Sequence, residues 1–284
     1  MNELTDRYVV FDFQNTLWRS YMARPRNEED MQTSTGYPSG HVYRFFRSVH
    51  KWKSQFGGHP VFIYEGGEKY RYELFPEYKA GRDRNREFDP KPDVVKMLKH
   101  IKCTEIIPVD SEADDGIAAW VHKYPTARHL IVSSDKDLWQ LRCPNVQIVF
   151  FQSVISDQEI EEKCKKHYGT PKPASIVLAK ALYGDKSDGL PSVPRLFKKH
   201  VSPLLERVRL VDDFFAEIDS LPTKTAQKLR DHEEQVRKVY EAVQLRAHCK
   251  LRRREREGNA EKLTQFLEKF ECETLLPLVD AMVS

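Results

Sequence analysis

The sequence predicts an α/β protein: a mostly parallel central sheet flanked by helices, followed by a helical C-terminal portion. Three observations carry this expectation. Short apolar runs rich in β-branched and aromatic residues alternate with helical spacings through the first half. Carboxylates stand at or just after the ends of those runs, and strand signals stop after about residue 155. Alternation of this kind builds parallel sheets, whose ligands sit beyond the carboxyl ends of the strands.

The elements follow in order. YVVFDF (8–13) reads as a buried strand. From 40 to 56, Val42, Phe45, Phe46, Val49 and Trp52 recur at helical spacing. VFIYE (61–65), TEIIPV (104–109), HLIVSS (129–134) and VQIVFF (146–151) read as further strands, with helices expected at 68–79, 92–101, 112–123 and 136–142. Ser156 then caps a helix, with Glu159 completing a capping box; Gly169 ends it, and Pro171 and Pro173 lead into SIVLAKALYG. A long amphipathic helix is expected over roughly 223–256, where Leu229, Val236 and Val243 form a stripe. Gly258 and Asn259 break it before a final pair of short helices. The expected division is 1–155 for the α/β core and 156–284 for a helical region.

Composition narrows the class. A chain of 284 residues, 40% hydrophobic and 31% charged, is soluble and globular rather than disordered. No apolar run reaches bilayer length, and MNELTDRY lacks a signal peptide's apolar stretch. Five cysteines are scattered without a C-x-x-C pair, which argues against a disulfide framework or zinc site and for a reducing, cytoplasmic setting. The net charge of +3 hides a separation: 69–102 carries +4 and 223–256 carries +6, leaving −7 elsewhere. Any one charge run can be a solvated helix face. Two basic stretches beside acidic clusters favour a polyanion, and so nucleic acid.

The acidic clusters are Asp12 in YVVFDF, Glu112, Asp114 and Asp115 in SEADD, Asp135 and Asp137 in SSDKD, and Asp185 and Asp188 in GDKSD. Glu65 ends the second predicted strand. Each has an ordinary explanation when taken alone: acids favour helix N-termini, Asp135 can be an N-cap, and Asp185 and Asp188 can be turn residues beside glycines. Gathered in one low-dielectric cleft they would repel strongly, and hard divalent ions such as Mg²⁺ or Mn²⁺ relieve that repulsion. Two such ions about 3.5–4 Å apart suit phosphodiester hydrolysis, one activating water and one stabilising the leaving oxygen.

The ordered set of Asp12, Glu65, PEYKAGR, SEADD, SSDKD and YGDKSD resembles the 5′-nuclease family, across about residues 8–200. That family comprises flap endonucleases, the 5′-nuclease domains of bacterial DNA polymerases and bacteriophage 5′→3′ exonucleases, and the phage-like members are nearest. The resemblance implies a PIN-like 5′-nuclease core and hydrolysis at 5′ ends, nicks or flaps of DNA, with RNA in hybrids a further substrate. It implies that Asp12, Glu65, Glu112, Asp114 and Asp115 serve a first Mg²⁺, and that Asp135, Asp137, Asp185 and Asp188 serve a second, with Mn²⁺ able to substitute. Glu65 stands where Asp is common. Lys79 and Arg82 match the basic pair that approaches the scissile phosphate, where they would neutralise charge on the nonbridging oxygens. Trp18 matches an aromatic that stacks on a terminal base, and core packing is the other reading of it.

Two departures stand out. The family's glycine-rich hairpin is replaced by GLPSVPRLFKKH, so Arg195, Lys198 and Lys199 are expected to grip phosphates with side chains from a degenerate helix-hairpin-helix segment. The stretch between Lys79 and Glu112 is short, implying a reduced lid whose Arg84 and Arg86 contact DNA. Two rival readings compete with this one. Asp12-Phe13-Gln14-Asn15-Thr16 partly resembles the haloacid-dehalogenase-type phosphatase signature, but Gln14 cannot shuttle the proton that mechanism requires. The other is a non-catalytic DNA-binding module whose acids only bind structural ions, but every carboxylate that catalysis would need is present.

Overall fold

The computed structural model describes residues 6–23, 29–81 and 88–284. β1 (Arg7–Asp12) runs through the centre of a seven-stranded sheet, with β2 (His59–Ile63) and β3 (Lys102–Pro108) on one side. On its other side lie β4 (Arg128–Val132) and β5 (Val146–Phe150). All five are parallel. The short β6 (Ser153–Val154) and β7 (Leu251–Glu257) close the two edges antiparallel, giving the order β6-β5-β4-β1-β2-β3-β7.

Chain order reverses between β1 and β4, so the crevice at that switch point opens beyond Asp12 and Ser133. Side chains alternate across β1. Val9 and Phe11 face a core shared with α2 (Gly40–Phe56) and α4 (Lys91–Leu98), which follow α1 (Phe13–Met22) and α3 (Lys69–Leu74) in the chain. Tyr8 and Val10 face the opposite core, built on Ile117 and Trp120 of α5 (Ala113–Lys123) and on Ile160 of α6 (Asp157–Tyr168).

A second body is helical, formed by α7 (Ile176–Tyr183), α8 (Lys198–Leu205), α9 (Val211–Ala216), α10 (Thr223–Asp231) and α11 (Glu233–Val243) around Leu178, Leu182, Phe214 and Val239. The capping box at Ser156 and the left-handed Gly169 stand where the sequence places them.

The end of the chain departs from expectation. The stretch 223–256 is not one helix: α10 and α11 are separate, and β7 then pairs along the whole of β3. LRRRERE carries no apolar alternation, so its strand character comes from the ladder and from cross-strand partners. Arg256 meets Glu105 at 2.7 Å, and Thr104 donates to Glu255 at 2.7 Å. α12 (Ala260–Lys269) and α13 (Val279–Val283) then return to the α/β body, where Leu263, Leu267 and Met282 pack in the same core as Phe45. The segment from β7 onward therefore belongs to the sheet side of the molecule. Among the described residues no helix is long and apolar enough to cross a membrane.

Candidate active site

β1 delivers Asp12 to the switch point, where the residue also caps α1. Its Oδ1 accepts the Asn15 N–H at 3.1 Å and its Oδ2 accepts the Ser133 hydroxyl at 2.9 Å, tying the ends of β1 and β4 together. Ser133 in turn accepts the Asp135 N–H at 3.1 Å, and Asp135 accepts the Asp137 N–H at 2.9 Å. Glu65, beyond β2, accepts the Ala113 N–H at 3.1 Å, so the second strand end is latched to α5. Asp12, Glu65, Glu112, Asp114, Asp135, Asp137 and Asp188 all line one cleft of about 360 Å³, with Trp18, Lys79 and Lys180.

Burial first, and neighbouring carboxylates second, raise the proton affinities of the acids in this cleft. Burial pushes Asp12 up to about 6, against its bonds to Asn15 and Ser133 and with Asp135 adding to the rise. Asp114 is raised well above the usual range, by burial first and then by Asp135, Asp12, Glu112 and Glu65. Asp137 rises to about 6 through burial, although Lys180 opposes it. Glu65 reaches about 7 through partial desolvation, then Glu112 and Asp12. Because Glu65 is exposed at the cleft mouth, water screens part of that rise.

Cations partly answer these charges. Lys79, itself buried, pairs with Glu112 and lies 3.9 Å from Glu68, while Tyr78 donates to Glu112 at 3.0 Å. Lys180 bridges Asp137 at 2.6 Å and Asp185 at 2.7 Å. Burial would raise Asp185, but Lys180 and the Ser187 N–H and hydroxyl hold it below its ordinary value. Among the described residues no three His, Cys, Asp or Glu groups form a ready-made metal cage. The donor set nonetheless fits hard divalent ions: it is all carboxylate, convergent and under-neutralised, and such ions keep several waters rather than needing a full protein cage.

The acids of SEADD have different surroundings. Asp115 is fully buried and turned to Arg71, whose guanidinium nitrogens lie 2.6 and 2.8 Å from its oxygens. It also accepts the N–H groups of Arg246 and Glu112. Asp115 and Asp185 therefore stand outside the cleft lining, held by Arg71 and Lys180, whereas Asp114 and Glu112 face into it.

The two loop motifs dock on each other. The Lys79 N–H donates to the Asp188 carbonyl at 3.0 Å, and a Cβ on Gly189 would come within 2.8 Å of the Glu77 carbonyl, so only glycine permits that approach. Lys79 itself takes a left-handed backbone. Arg195 does the same between α7 and α8, taking a conformation that favours glycine, and its carbonyl accepts Lys228 at 3.2 Å. Arg195, Lys198 and Lys199 are exposed, with Lys198 over the Tyr183 ring at 5.4 Å. Trp18 is half-buried on the cleft wall, edge-on to Tyr21 at 5.7 Å. Arg82, Arg84 and Arg86 lie outside the described residues.

Sequence reasoning passed over Arg71, Ser133, Asn15 and Lys180. Lys180 did carry a signal, as the one charge in the apolar run SIVLAKALYG; Arg71 carried none.

Comparison with known proteins agrees with this geometry. A family described as "5′-3′ exonuclease, N-terminal resolvase-like domain" matches residues 7–169, and "5′-3′ exonuclease, C-terminal SAM fold" matches 171–265. Flap endonuclease Xni of Shewanella oneidensis is 29% identical over 258 residues, spanning 87% of this chain and 92% of that protein. The T5 5′-exonuclease with bound zinc superposes with a TM-score of 0.67 at 18% identity, covering 96% of this chain and 99% of that one. The bacteriophage T5 D15 flap endonuclease, solved with DNA and metal ions, gives 0.64 at 17% identity over 96% and 99%. These matches exclude the phosphatase reading. The position that would need its acid–base group is Gln14, whose buried Oε1 has no hydrogen-bond partner among the described residues. The chain belongs to the 5′–3′ exonuclease family and is a structure-selective 5′ nuclease.

Proposed function

We propose that the cleft hydrolyses phosphodiesters at 5′ ends, nicks and flaps of DNA with two Mg²⁺ ions, Mn²⁺ substituting. The observation that supports this best is the convergence of carboxylates from four separate strand ends and the 185–189 loop on one cleft that also holds a buried lysine. Asp12, Glu65, Glu112 and Asp114 would hold one ion, and Asp135, Asp137 and Asp188 the other. Asp115 and Asp185 act at one remove, positioning Arg71 and Lys180. When bound, the ions neutralise the acids and make water a competent nucleophile at neutral pH.

The chain's own residues do the rest. Lys79 lines the cleft beside Glu112, and its ammonium would meet a nonbridging oxygen of the scissile phosphate. Arg82 would join it from the 82–87 stretch. Trp18 offers a face to a terminal base, and Arg195, Lys198 and Lys199 line the exposed side of the helical body for duplex phosphates.

Product mapping with Mg²⁺ on matched 5′-flap, nicked, gapped and RNA–DNA hybrid substrates tests the reading, with p-nitrophenyl phosphate in parallel. Asp135→Asn should abolish cleavage with DNA binding retained, and Lys79→Ala should lower kcat far more than affinity. Hydrolysis of the small phosphate without cleavage of DNA, or unchanged turnover in Asp135→Asn, would sink it.

A further inference from the structure

A groove of about 1140 Å³ lies beside the cleft, between α1 and α2 on one wall and the β5–β6 turn with α6 on the other. Arg19 lines both the cleft and this groove. Capped by Asp12 in the cleft, α1 runs about 15 Å to Met22 in the groove wall, so the two sites adjoin along one helix. The lining cations are Arg19, Arg44, Arg47, Lys51 and Lys163, against Glu159 as its acid. Asp30 engages Arg44, but Arg47 carries no ion pair among the described residues.

At the rim stands Phe151, 58% exposed and at φ +59°. A left-handed backbone is rare for a bulky residue and persists only where surrounding contacts impose it. Here they do. Arg19 donates to the Phe151 carbonyl and lies 5.8 Å from its ring, while Lys51 donates to the Gln152 carbonyl at 3.0 Å. Two cations thus pin a strained turn whose effect is to hold an aromatic ring out in solvent.

We propose that this groove binds the single-stranded part of the DNA substrate, with phosphates along Arg47 and Lys51 and an unpaired base stacked on Phe151. Cations that track a backbone beside an exposed ring are the means by which proteins hold single strands without reading sequence. Duplex bases are already stacked and offer no face to such a ring, which selects single-stranded over double-stranded DNA. The inference rests on the nuclease reading and adds a binding site to it.

The test measures affinity in EDTA by fluorescence anisotropy, using the full chain and nicked duplexes with no flap, a 5′ flap or a 3′ flap. Phe151→Gly removes the ring and relieves the positive φ, so misfolding cannot account for its effect; Phe151→Trp keeps a stacking face. Expected is a loss of about five-fold or more on flapped DNA for Phe151→Gly, the low end of base–aromatic stacking, with the unflapped nick unchanged and Phe151→Trp near wild type. Arg47→Ala/Lys51→Ala should weaken the same arm, and whichever flap responds identifies the strand. Equal flap-dependent affinity in wild type and Phe151→Gly overturns the proposal while Mg²⁺-dependent cleavage continues. Absence of any cleavage by the wild type would instead remove the reading beneath it.

Discussion

Asp114 and Asp115 are neighbours in sequence, yet replacing each by Asn should move metal-free stability in opposite directions. Asp115 is fully buried and shares a two-pronged ion pair with Arg71, which is 4% exposed and also donates to the Ala242 carbonyl at 2.8 Å. Asp115→Asn strips the guanidinium of its main counter-charge. Breaking one side of a buried pair costs about 3–5 kcal/mol, because the surviving charge stays desolvated. In a chain of this size that is a fall in Tm of the order of ten degrees. Asp114 has the reverse problem: burial and four neighbouring carboxylates disfavour its charge, so Asp114→Asn should raise Tm in EDTA. Thermal unfolding with and without Mg²⁺ completes the test. Mg²⁺ should still stabilise Asp115→Asn but give little rise in Asp114→Asn, whose turnover should vanish. If both variants fell in EDTA and both lost the Mg²⁺ response, the separation of structural from cleft-facing acid would be wrong.

Three further outcomes are expected. Asp12 and Asp137 sit near 6 and Glu65 near 7, all above their ordinary values, so the metal-free fold binds protons more tightly than the unfolded chain. Their contribution is complete below about pH 4 and is lost as pH rises through 6–7; Tm in EDTA, compared between wild type and Asp12→Asn, should show wild type losing ground across that window. Lys180→Met leaves Asp137 and Asp185 facing each other without their shared ammonium, so metal-free Tm should fall and the Mg²⁺-induced recovery should exceed that of wild type. Equal recovery would mean Lys180 is a packing residue. DNA affinity should fall with log salt by about 0.9 per neutralised phosphate, and Arg195→Ala or Lys199→Ala should each reduce the slope by about one; an unchanged slope removes that residue from the interface.

How much of this was legible in the sequence depended on the kind of signal each residue leaves. β1, β2 and β4 are buried along most of their length on both faces, so burial wrote itself into apolar runs, and the acids at the strand ends follow from topology. β7 left no such trace. An edge strand facing solvent needs no apolar face, and LRRRERE finds its backbone and cross-strand partners in β3. The return of the last helices to the sheet side was equally hidden, since α12 and α13 are recognisable as helices but not as sharing a core with α2. In the site, motif spacing located the carboxylates and not their orientation. At the start of α5, Asp114 and Asp115 point to different faces, and only the position of Arg71, 44 residues earlier, decides which one meets the cleft.

The three internal cations also differ in what they can do once a metal and a substrate arrive. Arg71 is fixed: its planar fork matches both oxygens of Asp115, its Nε–H is spent on the Ala242 carbonyl, and exchange would break several bonds together. Lys79 and Lys180 are point charges on flexible stems, each shared between two carboxylates, and a divalent ion can take over either partner without stranding the ammonium. The cleft is therefore kept foldable without metal by groups of two kinds, one permanent and two transferable. Of the transferable pair, Lys79 stands on a left-handed turn anchored to the Asp188 backbone, beside the acids that would bind metal. Its place in the cleft lining would bring its positive charge to a nonbridging phosphate oxygen, so the ammonium that now balances Glu112 would be the one that meets the substrate.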